Sequence, residues 1–229
     1  MKATMFKGMF KKAMLVLAAV VLVALPVFAA SPEVGDIIPF GAYSWRVLEI
    51  QDGKALLLSD KVIERRAYHE PGRAVTWETC TLRQYLNGEF YDSFSAAEKA
   101  LIAETRLTND DNPWYGTSGG NATTDRIFLL SLEEVVKYFG DSGDLKNRKG
   151  WYWEGEPVLN DGQGFIINDQ YNSAREAVDA DGAALWWWLR SPGVDSLLAA
   201  AVHGDGGVGV EGGGSYYDGG VRPALWLNL

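Results

Sequence analysis

The sequence is poor in the side chains from which most catalytic and metal sites are built. It holds one cysteine, Cys80, and two histidines, His69 and His203. A single thiol cannot close an intrachain disulfide, so packing must stabilise the fold. Two histidines without i,i+4 spacing, and with no His-Glu-x-x-His run, form no recognisable zinc motif and only a weak acid–base pair. Positive charge is also scarce. Lys and Arg number 21 against 30 Asp and Glu, a formal net charge of −9. An acidic chain repels phosphate backbones, which excludes nucleic acid as a partner. No heptads and no solenoid period are present.

Basic residues cluster at the start, where Lys2, Lys7, Lys11 and Lys12 precede an apolar run over residues 14–23. Pro26 and the small-residue pattern Val27-Phe28-Ala29 follow. This reads as a secretory signal peptide over residues 1–29. An uncleaved anchor is the alternative, although the run falls short of the ~20 residues that span a bilayer. The expected location is secreted or cell-surface, with no membrane contact beyond this segment. Removing the leader's four lysines leaves 17 basic against 30 acidic residues, or −13. Residues 30–229 suffice for one core and are read as a single domain. Nine Trp, ten Tyr and nine Phe supply packing and contact surface.

Residues 37–40 and 44–50 read as an opening strand. Asp52-Gly53 is a hairpin turn and residues 55–58 return as a second strand. Residues 62–68 form an edge-like third strand. A helix enters at Thr76-Trp77-Glu78-Thr79 and is expected to stop at Asn87-Gly88. Ser95 with Glu98, and Ser131 with Glu134, are capping boxes for two further short helices. Residues 109–120 and 141–164 read as loops, residues 125–130 as a strand and residues 172–178 as a short helix. Strands are expected at 186–190, 198–202, 208–210 and 221–227. Helices in the middle with strands at both ends give an α+β class.

Several blocks then resemble a bacterial family of secreted domains of unknown function. They are Thr76-Trp77, Cys80-Thr81-Leu82-Arg83, Leu86-Asn87, Gly119-Gly120 and Asp125-Arg126-Ile127-Phe128-Leu129-Leu130-Ser131, followed by Trp187-Trp188-Leu189-Arg190-Ser191-Pro192-Gly193 and Gly220-Val221-Arg222-Pro223-Ala224-Leu225. The resemblance implies a C-type-lectin-like fold, related in plan to formylglycine-generating-enzyme-like domains, with paired terminal strands, two or three helices and long loops. The closing segment also resembles the variable region of diversity-generating-retroelement proteins, in which a lectin-like scaffold carries binding side chains. The matching positions here are His203, Asp205, Val208, Val210, Glu211, Ser215, Tyr216, Tyr217 and Asp218. Formylglycine-generating chemistry needs a cysteine pair, and Cys80 stands alone. The Glu-Pro-Asn and Trp-Asn-Asp elements of calcium-dependent sugar binding are missing.

No catalytic residues and no cofactor emerge. Cys80 reads as a small buried hydrophobe and His69 as a surface residue. Residues 109–112 and 179–182 carry oxygen ligands suited to calcium, but neither follows the twelve-residue loop with its closing Glu, so solvated turns are the simpler reading. The glycines between 204 and 220 cradle no phosphate, because no Lys-Ser/Thr and no helix follow. They are read as permitting φ > 0 between short strands. Trp186, Trp187 and Trp188 cannot share one face of a strand. Arg190 and Arg222 are read as structural cations. The expectation is a non-enzymatic module that binds an extracellular protein or glycan through residues 203–218, supported by loops 109–120 and 151–164. A cell-wall hydrolase using loop carboxylates, or a ligand-free structural module, are the alternatives.

Overall fold

In the computed structural model, residues 31–148, 152–153, 156–157 and 165–229 are described. The leader and most of the 151–164 loop fall outside them. The chain opens with β1 (Ile37–Phe40), β2 (Tyr43–Gln51) and β3 (Lys54–Ser59). Asp52 and Gly53 both take positive φ, at 50° and 70°, and Gln51 faces Lys54. That is the two-residue turn whose twist suits a hairpin. β4 (Glu64–Ala67) follows.

Trp77–Thr79 form a 3₁₀ turn, and α1 (Thr81–Tyr85) is capped by Cys80, whose Sγ accepts from the Arg83 N–H at 3.3 Å. The hydroxyl of Thr76 makes no cap. The helix does not stop at Asn87-Gly88. It continues as a π-type turn over Leu86–Phe90. Asn87 is needed elsewhere: its amide donates to the Ile127 carbonyl at 2.8 Å, and its oxygen accepts from the Arg126 N–H at 2.8 Å. Gly88 keeps negative φ and has open space where a Cβ would sit. Gly88→Ala is therefore expected to stabilise the protein by about 0.5–1 kcal/mol, because only unfolded-state freedom is lost. A urea titration that shows destabilisation would contradict this.

α2 (Ala96–Leu101) and α3 (Leu132–Phe139) both begin with complete capping boxes, from Ser95/Glu98 and Ser131/Glu134. β5 (Thr105–Leu107) pairs with β6 (Thr123–Asp125) between them. Of the segment 125–130, expected as a strand, Asp125 ends β6 and the rest makes only one bridge, Phe128 with Ala224. The reason is its position. It threads between two sheets, bonding Ala224 on one side while Leu130 accepts from the Arg190 N–H on the other. Ile127, Phe128, Leu129 and Leu130 are all buried there.

The remaining elements are β7 (Tyr152–Trp153), β8 (Glu156–Pro157), β9 (Ile166–Ile167), α4 (Asn172–Arg175), β10 (Trp187–Pro192), β11 (Leu198–Val202), β12 (Val208–Gly214), β13 (Asp218–Val221) and β14 (Ala224–Asn228). One sheet runs β1-β2-β3-β14 and the larger one β4-β13-β10-β11-β12-β9. The domain is thus α+β and mostly β. The closing strand does return to the opening sheet, but it lies beside β3, with β1 on the opposite edge. Among the described residues no helix is long and apolar enough to cross a membrane.

Candidate functional site

The motif blocks turn out to be fasteners. Asp125 is buried and accepts from Trp77 Nε1 at 2.9 Å and from Thr123 Oγ1 at 2.8 Å, while the Arg83 guanidinium lies 2.6 Å away. Arg190, 4 % exposed, pairs with Glu134, donates to the Leu129 carbonyl at 2.9 Å, and so ties the α3 capping box to β10. Arg222 donates to the Ser59 and Asp60 carbonyls at 2.9 and 3.3 Å and stacks over Trp187. These cations hold carboxylates or backbone carbonyls in place and offer no reactive group. Cys80 is fully buried, and burial pushes its thiol up to about 12. It is therefore protonated and non-nucleophilic at neutral pH. His69 is not on the surface. It is 5 % exposed beside Ser215, whose carbonyl accepts its backbone N–H.

The glycine-rich segment also differs from its expected role. Within residues 204–220 only Gly206 and Gly212 have positive φ. At several of the others, something occupies the place of a side chain. A Cβ on Gly219 would lie 2.5 Å from Trp188 Nε1, one on Gly220 2.5 Å from the Trp186 carbonyl, and one on Gly209 2.6 Å from His203 Nε2. The segment is a packed floor, not a pliable spacer.

The nine expected contact residues divide accordingly. Val208, Val210 and Ser215 are buried and cannot meet a ligand, because the two valines alternate inward on β12 and Ser215 lies under the 69–72 turn. Glu211 is half-buried, its Oε2 has no hydrogen-bond partner among the described residues, and burial pushes its carboxyl up to about 7. Asp218 is exposed and its carbonyl is held by Arg65.

Two exposed patches remain, at opposite ends of β12 and so about 20 Å apart at ~3.3 Å per residue. At one end His203 and Asp205 line a cavity of about 130 Å³ with Phe165, Ile166, Asn168 and Gly207. At the other, Tyr216 and Tyr217 are 55 % and 54 % exposed, with ring centroids 4.4 Å apart and hydroxyls at 3.0 Å. Two residues absent from the expected set join them. Val194 and Leu197 are large, apolar and exposed. Their loop is pinned on four sides: the Val194 N–H donates to Glu211, Ser215 donates to Leu197, Val75 donates to Ser196, and Thr117 Oγ1 donates to Val194. The sequence signal was an apolar pair flanking the Asp195-Ser196 turn. Loop 109–120 reaches this patch through Thr117. It is anchored below by Asn112, which donates to the Pro192 and Val210 carbonyls at 2.8 Å each. Of loop 151–164, only the backbone pairing of Tyr152–Trp153 with Glu156–Pro157 falls within the described residues. Among the described residues no cluster of His, Cys, Asp or Glu is arranged to hold a metal ion.

Fold and site together define a mixed, mostly β domain whose signature residues fasten a frame beneath an exposed aromatic patch. The chain belongs to the DUF6273 family, a domain of unknown function, with the match spanning residues 52–229. No curated protein and no solved structure matches it.

Proposed function

We propose that this chain is a secreted or surface-displayed binding module, of C-type-lectin-like plan, which recognises an extracellular protein or glycan without a cofactor. The observation that carries the reading is the Tyr216–Tyr217 pair with Val194 and Leu197: four large, exposed side chains on one rigidly held rim. Tyrosine offers broad contact area and a hydroxyl at low entropic cost, which suits it to recognition surfaces. Large exposed aromatic and apolar side chains on a domain otherwise well packed mark an interaction site. The lectin-like plan is supported by the closing strand's return to the opening sheet and by loop 109–120, which Asn112 ties to the second sheet. Kinship with retroelement-diversified binders belongs to the same reading. A reverse-transcriptase gene and a near-repeat of the 3′ coding end beside this gene would support it.

The test uses purified residues 31–229 on protein and glycan arrays, with hits quantified by biolayer interferometry. The double substitution Tyr216→Ala/Tyr217→Ala is expected to weaken a genuine hit at least about tenfold, as loss of a central aromatic contact does. The melting temperature should hold, since both rings are half exposed. Hits that survive the double variant at full affinity would place recognition elsewhere.

One observation favours the hydrolase alternative. The carboxyl of Glu211, pushed up to about 7 by burial, is partly protonated at neutral pH, the state that a general acid needs. Turnover of cell-wall polysaccharide that is abolished by Glu211→Gln would move the assignment there.

A further inference from the structure

A second cavity, independent of the tyrosine rim, opens on the far side of the domain between β2, the end of α3 and α4. Its volume is about 530 Å³, within the usual range of small-molecule sites. Val47, Leu48, Phe139 and Ala177 give it apolar walls, and Arg46 and Arg222 contribute charge.

Arg222 is the unusual member. The two other deeply buried arginines each hold a carboxylate: Arg175 is bidentate to Asp169 at 2.9 and 3.1 Å, and Arg190 holds Glu134. Arg222 is just as buried, at 2 % exposure, yet its hydrogen bonds go to two carbonyls, and its Nη1 has no partner among the described residues. The carboxylate nearest to it electrostatically is Asp60, and Asp60 is already taken by Arg46 at 3.0 Å. Two guanidinium groups therefore share one buried-side carboxylate. Burial first, and then the neighbouring Arg46 charge, pull Arg222 down to about 10 despite Asp60. The other acid lining the cavity, Glu176, is exposed, and water screens it. A buried cation with an unfilled donor, beside a hollow of mixed polar and apolar lining, is costly unless an anion completes it.

We propose that this cavity is a binding site for a small amphiphilic carboxylate, its anionic head set towards Arg46 and Arg222 and its hydrocarbon against Leu48, Phe139 and Ala177. A planar carboxylate matches the guanidinium fork in a way that a neutral amide does not.

Hexanoate and hexanamide serve as probes, because they share a chain and differ in charge. Binding to residues 31–229 is read by ligand-detected NMR and by the ligand-induced rise in melting temperature. Hexanoate is expected to saturate the protein and to bind at least about tenfold more tightly than hexanamide, the effect of one charge-assisted hydrogen bond. Arg46→Gln should erase most of that difference, and Ala174→Trp, on the exposed lip, should block both probes. Neither variant removes a hydrogen bond of Arg222, so both are expected to fold, with cooperative melts as the check. Tyr216→Ala/Tyr217→Ala should leave hexanoate binding unchanged, which separates this site from the recognition rim. Equal binding of acid and amide, no saturation by hexanoate, or hexanoate binding untouched by both Arg46→Gln and Ala174→Trp would each overturn the assignment.

Discussion

Trp187→Ala is expected to remove about 3–5 kcal/mol of stability, the cost of truncating a large buried aromatic side chain. Trp187 is wholly buried on β10 and faces away from its neighbours Trp186 and Trp188. Its Nε1 donates to the Arg175 carbonyl at 3.2 Å, and the Arg222 guanidinium lies 5.0 Å above its ring. Truncation therefore opens a cavity, strands a carbonyl and strips a buried cation of its aromatic partner. Each effect acts in the same direction. Because domains of this size are stable by only about 5–15 kcal/mol, the variant should unfold at much lower urea or fail to accumulate. Trp186→Ala is the control, since that ring is only half-buried. Urea titrations of the two variants should differ by at least about 2 kcal/mol. Equal and small losses would mean that β10 is not the centre of the frame.

How much of this frame the sequence announced depends on whether the signal was local. The Asp52-Gly53 turn and both capping boxes involve residues two to three apart, and all three are present with the expected partners. Asn87-Gly88 carries an equally strong local signal for a helix end, yet the helix runs on. The Asn87 side chain is recruited across 40 positions of sequence by Arg126 and Ile127, and no local pattern encodes that. The segment 125–130 had a strand's composition because residues 127–130 are buried, which apolarity alone cannot distinguish from pairing in a sheet. The same holds for the contact surface. Alternation along β12 turned Val208 and Val210 inward, while the exposed partners of the tyrosines, Val194 and Leu197, come from a different hairpin. The chemistry of Cys80 was legible because a lone cysteine among Leu and Trp has few roles. The burial of His69 was not, since it depends on the distant β12–β13 turn that carries Ser215.

The glycine-rich segment gives the sharpest division between a spacer and a packed floor. At an ordinary strand position Gly→Ala stabilises by about 0.5–1 kcal/mol. Gly219 has ordinary negative φ, so backbone strain does not enter. Its missing side chain is the point. A Cβ there would stand 2.5 Å from Trp188 Nε1 and closer still to the edge of the Trp186 ring. Trp188 cannot yield: it is wholly buried, packs against Tyr68 with centroids 5.8 Å apart, and donates to the Arg66 carbonyl at 3.0 Å. Trp186 is half-buried and is the ring that must swing. Gly219→Ala is therefore expected to destabilise by about 2–3 kcal/mol, as overpacking of a tight core does. In a Trp186→Ala background half of the obstruction is gone, and the same substitution should cost at least about 1 kcal/mol less. The four-variant cycle, measured by urea titration, reads both the sign and the coupling. A pliable spacer predicts a gain and no coupling. A floor shaped by tryptophan rings predicts a loss that shrinks when the ring is removed.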